Sequence, residues 1–462
     1  MHGSGPSGAG SPDLNDPGLL TAAETSLLTD QYQLAMVASY HRREMNQPAI
    51  FELFARSLPP HRTWLLAAGL GPTLRLVRDL RFGERELAYL GSIGFRDDFL
   101  RYLSQLRFSG DIHAIPEGTV CFANEPLVRI TAPRIEAQLL ETLLLNQINF
   151  QTMVATKAAR VVLAAGGGEP GAGDRVIDFS PRRDHGIDAA MKVARSAAIA
   201  GCGGTSNVAA AMRYGLRPMG TMAHSYVMSF ERERDAFRAY MEDFPDNTLM
   251  LVDTYDTLEG VRNAIAASRE TGITLGGVRL DSGDLLELSR KVRRILDEAD
   301  MNATRIVASG DLEERRITEL VEAGAPIDLW GVGTELGTSR DSPVVNGVYK
   351  LVADRDDGRW RGVWKLSPDK QTHPGAKQVH RTYDEGAMAG DVIAAEGDEP
   401  GGEPLLVEAM RRGEILREEP LETIRERTAR QLAALPAALR APEDDVDPYP
   451  VVYSERLREA VR

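Results

Sequence analysis

VIDFS (176–180), RPMGTMA (217–223), TLMLVDT (248–254), GGVRLDS (276–282), RIVASG (305–310), DLWGVGT (328–334) and VYKLVA (348–353) are short β-branched runs set in helical sequence. After the first, they recur at roughly 20 to 30 residues, the spacing of βα units wound around a parallel sheet. Nearly every run ends in polar or Gly-rich residues: SPRRDHG, GTMAHS, DTYDT, RLDSGD, SGD and GVGT. In a (β/α) barrel with parallel strands these ends would share the carboxyl face, where barrels build their active sites. A doubly wound open sheet accommodates the same alternation.

Outward from this block the texture changes. Residues 19–165 mix helical patterns with short strands: LLTDQYQLAMVASYHR (27–42) puts Leu27, Leu34, Val37 and Ala38 on one helical stripe, with Thr29 as the N-cap. IFELFARSLPP (50–60) reads as a strand stopped by its prolines, and TVCFANEPLVRITAP (119–133) as two strands split at Pro126. Residues 134–165 form one Leu-rich helical run, broken by GGGEPGAGD (166–174), where the domain boundary is placed. The expected organisation is a flexible tail (1–18), an N-terminal α/β domain (19–165), a barrel domain (166–353), and a C-terminal segment (354–462) that returns to complete the first domain.

Composition narrows the function classes. With 43% hydrophobic and 26% charged residues, the 462-residue chain has ample material for packed cores. Lys plus Arg total 54 against 68 Asp plus Glu, a net charge of −14, which argues against nucleic acid or an anionic membrane as partner. Any phosphate site must therefore be local. Two cysteines, Cys121 and Cys202, without CxxC spacing exclude a disulfide framework or zinc knuckle and suit the cytoplasm. The apolar runs, such as 161–165, fall far short of the ~20 residues a membrane helix needs.

Several strand ends carry groups suited to chemistry. GTMAHSYVMSF (220–230) sets His224 among small and hydroxylic neighbours, Thr221 and Ser225 included, where an imidazole titrating near neutrality can work. VRLDSGDL (278–285) groups Arg279, Asp281 and Asp284 around Ser282 and Gly283. The carboxylates can hold hydrated Mg²⁺ or sugar hydroxyls, and the guanidinium can pair with a carboxylate or phosphate. The same residues read equally well as a helix start, with Asp281 or Ser282 as N-cap. ASGDLEE (308–314), with Ser309 and Gly310, and WGVGTELGTS (330–339), with Gly331, Gly333 and Thr334, can cradle phosphate through exposed N–H groups. DFSPRRDHG (178–186) places Arg182 near Phe179, a pair suited to a flat anionic ligand. KLSPDKQTHPGAK (365–377) offers Lys365, Lys370 and Lys377 with Ser367 and Thr372: a cationic loop for polyphosphate, or a solvated face.

TDQYQLAM (29–36), FELFARSLP (51–59), ATKAAR (155–160), GTSNVAAAMRYG (204–215), GTMAHS (220–225), VRLDSGDL (278–285), GVGTELGTS (331–339), VYKLV (348–352) and DKQTHPGAKQVHR (369–381) together resemble the nicotinate phosphoribosyltransferase family. The resemblance implies an incomplete α/β barrel, a second domain built from both chain ends, and a homodimer with shared active sites. It also implies condensation of nicotinate with 5-phosphoribosyl 1-diphosphate, coupled to ATP hydrolysis and classed as a ligase reaction, in NAD salvage. On that basis His224 is the phosphohistidine. Tyr32, Phe179, Arg182, Thr221 and Arg279 are nicotinate contacts, and Ser225 is a further substrate-binding residue. Asp281 is the second catalytic residue, with Mg²⁺ held through diphosphate, and Ser282, Gly283, Ser309, Gly310, Gly331, Gly333, Thr334 and Thr372 serve the phosphoribosyl diphosphate. Ser206 stands where the related nicotinamide enzyme has an acid; a hydroxyl there can donate to a carboxylate that an acid would repel. Nicotinamide as substrate, or a catalytically silent barrel acting as metabolite sensor, are the alternatives.

Overall fold

The computed structural model describes residues 19–166, 173–365, 372–441 and 446–460. The expectations for the tail (1–18), for the insert's residues 167–172 and for Ser367 and Lys370 lie outside them. The chain divides into two compact bodies. One comprises the chain up to Thr152, Val344–Ile424 and the chain from Asp447; the other comprises Met153–Pro343 and Arg425–Val446. The division falls inside the long helix Glu141–Ala165, ahead of the Gly-rich insert.

The second body is built on six parallel strands: β1 (Val176–Asp178), β2 (Gly204–Thr205), β3 (Leu249–Leu251), β4 (Gly277–Leu280), β5 (Arg305–Ala308) and β6 (Leu329–Val332). Their order in the sheet is β2-β1-β6-β5-β4-β3. Strands consecutive in the chain lie side by side from β3 to β6, and β6 returns to β1 with Trp330 opposite Val176 and Val332 opposite Asp178. A single bridge from Thr205 to Pro218 extends the sheet past β2. Among the described residues no ladder joins Pro218 to β3, so the sheet is a curled, incomplete barrel. Val176, Ile177, Met250, Leu251, Val278, Leu280, Ile306, Val307, Trp330 and Val332 are all buried, the continuous apolar pattern of strands covered on both faces. Asn207, Asp256 and Asp284 cap the helices Val208–Tyr214, Thr257–Thr271 and Leu285–Glu298 by accepting first-turn N–H groups.

Two of the seven runs behave differently. RPMGTMA supplies only the bridge at Pro218, and the two-residue β2, too short to show a strand pattern in the sequence, takes its place. VYKLVA belongs to the first body, as part of Gly347–Asp356, and pairs antiparallel with Pro48–Ala55. Its aromatic ring decides this. Tyr349 stacks on Phe51 with centroids 5.0 Å apart, and its hydroxyl donates to Ala137 O at 2.8 Å.

The first body carries a seven-stranded antiparallel sheet with Pro48–Ala55 and Pro126–Pro133 near its centre. Val407–Arg411 joins it by pairing with Asp111–Ala114, which places C-terminal residues in the same sheet as the N-terminal strands. A four-stranded sheet brings Lys377–Asp384, Ala387–Ala395 and Val451–Tyr453 together. The predicted helix spans Gln31–Arg42 and buries Leu34 and Val37. Its N-cap residue is Asp30, in place of Thr29, and the Asp30 carboxylate accepts from Thr142 Oγ1 at 2.7 Å. The single run over 134–165 is two helices, Arg134–Leu139 and Glu141–Ala165.

Candidate active site

Each barrel strand ends by delivering a polar residue. β3 delivers Asp253 and Thr254, β4 carries Arg279 and exits through Asp281 and Ser282, and β5 exits through Ser309 and Gly310. Asp253 Oδ2 accepts from Asp281 N at 3.0 Å and from Ser282 Oγ at 2.8 Å. Asp281 Oδ1 in turn accepts from Ser309 Oγ at 2.5 Å. Thr254 Oγ1 lies 3.2 Å from His224 Nδ1. Met222 O accepts from Arg279 Nη2 at 3.3 Å and from Thr221 Oγ1 at 3.1 Å, two residues ahead of His224. His224, Asp253–Thr254, Asp281 and Arg279 therefore form a closed circuit on one face of the barrel.

Two polar atoms in that circuit are buried and have no partner: Asp253 Oδ1 and Arg279 Nε. A buried donor and a buried acceptor left open are costly unless something completes them. Burial pulls the Arg279 guanidinium below its ordinary value. Asp281 and Asp253 act against that shift, and Arg182 adds to it. The site thus offers a desolvated cation beside carboxylates, suited to an anionic ligand accompanied by a hydrated cation. Among the described residues no group of three His, Cys, Asp or Glu side chains forms a metal cage. Mg²⁺ binding through one or two carboxylates plus substrate phosphates remains compatible with Asp281 and the open Asp253 oxygen.

Phe179 leaves β1 with its N–H donated to Val332 O at 2.9 Å. Its ring lies directly over Gly331: a Cβ there would stand 2.5 Å from two ring carbons. Gly310 is constrained in the same manner, with φ +88° and a would-be Cβ 2.1 Å from Asp281 O. Gly331, Gly333 and Thr334 lead into the short helix Thr334–Thr338. Arg182 and Ser225 are exposed, and Ser206 is half-buried.

Some expected residues have other duties. Asp284 is the N-cap of Leu285–Glu298, accepting from Leu286 N and Glu287 N at 3.1 Å each, so neither Asp281 nor Ser282 caps that helix. Gly283, at φ +84°, makes the turn between them. In the first body, Lys377 is not a free cation of a phosphate loop: its Nζ is buried 2.7 Å from Glu52 Oε2 and donates to His373 O and Gly375 O. Thr372 is buried, its hydroxyl accepting from Lys365 N at 3.2 Å. Tyr32 is half exposed on Gln31–Arg42.

Asp253 and Thr254 were legible only as a polar strand end. Their partners lie on Asp281, Ser282 and His224, which are neighbours only once the strand order is known.

Known proteins resemble the chain along most of its length. The sequence profile of the nicotinate phosphoribosyltransferase N-terminal domain matches residues 27–149, and that of the nicotinate phosphoribosyltransferase family matches 175–379. A nicotinate phosphoribosyltransferase of Mycobacterium tuberculosis, pncB2, is 46% identical over 437 residues, covering 94% of this chain and 92% of that protein. That of Bacillus subtilis is 44% identical over 379 residues, covering 80% and 76%. The crystal structure of human nicotinic acid phosphoribosyltransferase superposes with a TM-score of 0.81 at 27% identity, covering 94% of this chain and 99% of that one. This chain belongs to the nicotinate phosphoribosyltransferase family.

Proposed function

We propose that the protein transfers the phosphoribosyl group of 5-phosphoribosyl 1-diphosphate to the ring nitrogen of nicotinate, releasing diphosphate, with ATP hydrolysis coupled through His224 in NAD salvage. The observation that carries this reading is the circuit linking His224, Thr254, Asp253, Asp281 and Arg279. The nicotinate ring would lie on Phe179, whose seat on Gly331 keeps its face fixed. Arg279, with its Nε open, and Arg182 would pair with the carboxylate, and Ser206 would donate a further hydrogen bond.

The ring nitrogen is a weak nucleophile, so orientation and charge stabilisation carry the catalysis. As the C1–diphosphate bond breaks and the C1–nitrogen bond forms, the anomeric carbon gains positive charge, which the carboxylates Asp281 and Asp253 would help to stabilise. These two would hold Mg²⁺, which neutralises the departing diphosphate. The turns at Gly310 and at Gly333–Thr334 would supply N–H groups for the sugar phosphate, the Ser309 N–H being already donated to Leu280 O at 2.9 Å. Thr254 holds His224 at Nδ1, leaving Nε2 to accept a phosphoryl group from ATP with release of ADP. Hydrolysis of that phosphohistidine returns phosphate and free His224. Tyr32, from a second subunit of a homodimer, would close the ring site.

Replacing His224 tests the coupling. His224→Asn is expected to lose nicotinate-stimulated ATP hydrolysis while retaining slow, ATP-independent nucleotide formation; ATP hydrolysis at the wild-type rate would contradict the role given to His224. Product formation should be much faster from the acid than from the amide.

A further inference from the structure

Immediately after β1, a turn runs from Ser180 to Gly186 and carries Arg182, with Phe179 at its base. Its polar interior has an unusual proton balance. Asp178 is buried and accepts three hydrogen bonds: Ser180 N at 2.9 Å and Ser180 Oγ at 2.6 Å on Oδ1, and Thr205 Oγ1 at 2.8 Å on Oδ2. Burial pushes Asp178 up, and these three donors, which outnumber the single contact at Asp184, act against that shift and favour its ionised form over that of Asp184. Asp184 Oδ2 lies 3.2 Å from the same Ser180 Oγ. A hydroxyl has one proton, and Ser180 gives it to Asp178 at the shorter distance. Two oxygens bearing only lone pairs would then face each other across 3.2 Å, unless Asp184 brings the proton. Asp184 Oδ1 is buried without a partner, lodged against the backbone of Gly337, where a Cβ would stand 2.1 Å away.

We propose that Asp184 is a positioning residue: it donates its carboxylic proton to Ser180 Oγ, Ser180 donates to Asp178, and this relay latches the turn that presents Phe179 and Arg182 to the substrate ring. The inference rests on the proposed reading of those two residues as the ring-binding side of the site. Burial, with the charge of Asp178 adding to it, pushes Asp184 up to about 6. The other titratable or charged groups on the surrounding elements are Arg182, Arg183 and His185 in the turn, Asp188, Lys192 and Arg195 on Ile187–Ile199, and Glu335 on the helix that carries Gly337.

The sign follows from the raised value. The proton is held below the shifted midpoint, so the latch is closed at low pH and weakens as pH climbs through it. Asp184→Asn keeps a neutral donor at every pH. Asp184→Ala removes the donor altogether. The ratio of nicotinate KM between wild type and D184N, measured from about pH 5 to about pH 8, isolates position 184, because every other group titrates in both proteins. The ratio should be near one at the acidic end and rise severalfold with a midpoint near the Asp184 value. D184A should have a raised KM throughout with kcat largely kept. A ratio that stays flat overturns the proposal.

A second readout does not depend on turnover. The difference in Tm, D184N minus wild type, should grow as pH rises from the ordinary carboxylate range through the shifted one, then level. A flat difference shows that Asp184 carries no shared proton and also overturns it. A wild-type protein without nicotinate turnover would instead contradict the substrate reading, and there a titrating Tm difference would still support the relay.

Discussion

Gly310 and Gly331 show how little room the site leaves at single positions. Gly310 adopts φ +88° with Asp281 O where its Cβ would be, so Gly310→Ala meets both backbone strain and a clash. It should cost about 1–3 kcal/mol of stability, read by urea denaturation, and weaken phosphoribosyl diphosphate binding. Stability and KM unchanged from wild type would contradict the close approach of the β4 and β5 ends. At this scale the sequence discloses kinds of residue better than their pairings. His224, Arg279 and Asp281 stand out because polar groups at the end of apolar strands have few structural reasons to be there. Asp253 and Thr254 do not, since their meaning depends on strand neighbours. Asp284 and Lys377 show the converse: a carboxylate by a glycine and a lysine in a polar loop carry the same letters whether they bind ligand, cap a helix or fill a buried ion pair.

Elements are tied together by a buried charge network. Lys157 on the long helix Glu141–Ala165 sits 2.5 Å from Glu314 Oε2 and 2.9 Å from Asp341 Oδ1, and Arg160 Nε donates to Glu314 Oε1 at 3.0 Å. Burial works against the Glu314 charge, but Lys157 and Arg160 hold its carboxyl below the usual range. Lys157→Met leaves a buried carboxylate short of a cation and should destabilise the protein by about 3–5 kcal/mol, seen as a lower urea midpoint. In a double-mutant cycle with Glu314→Gln, the two losses should be non-additive; losses that simply add would contradict the pairing. The Glu314 contribution is present above its unfolded value and fades as pH falls through its lowered folded value. Element boundaries were only partly legible. The amphipathic run over 27–42 disclosed its helix directly, whereas the apolar run over 134–165 hides the break at Leu140 and the two-residue strand Gly204–Thr205 has too little pattern to announce itself. VYKLVA has a strand pattern that suits parallel and antiparallel sheets equally; the stacking of Tyr349 on Phe51 settles the choice.

For the molecule as a whole, the parallel strand order turns residues spread from Phe179 to Thr334 into neighbours at one end of a curled sheet. The alternation of short apolar runs and polar exits made the barrel legible, because strands buried on both faces must be apolar and their ends must meet solvent or ligand. Assembly of the other body from both chain ends depends on the pairing of Val407–Arg411 with Asp111–Ala114, a contact that no local pattern encodes. The central claim is that the carboxyl face of this barrel joins nicotinate to an activated ribosyl phosphate. Its most direct test is diphosphate release from 5-phosphoribosyl 1-diphosphate by the purified full-length protein with Mg²⁺, with and without nicotinate, each in the presence and absence of ATP. Release should require nicotinate and be strongly increased by ATP. Release that is indifferent to nicotinate, or no release while the protein still binds it, would contradict the account.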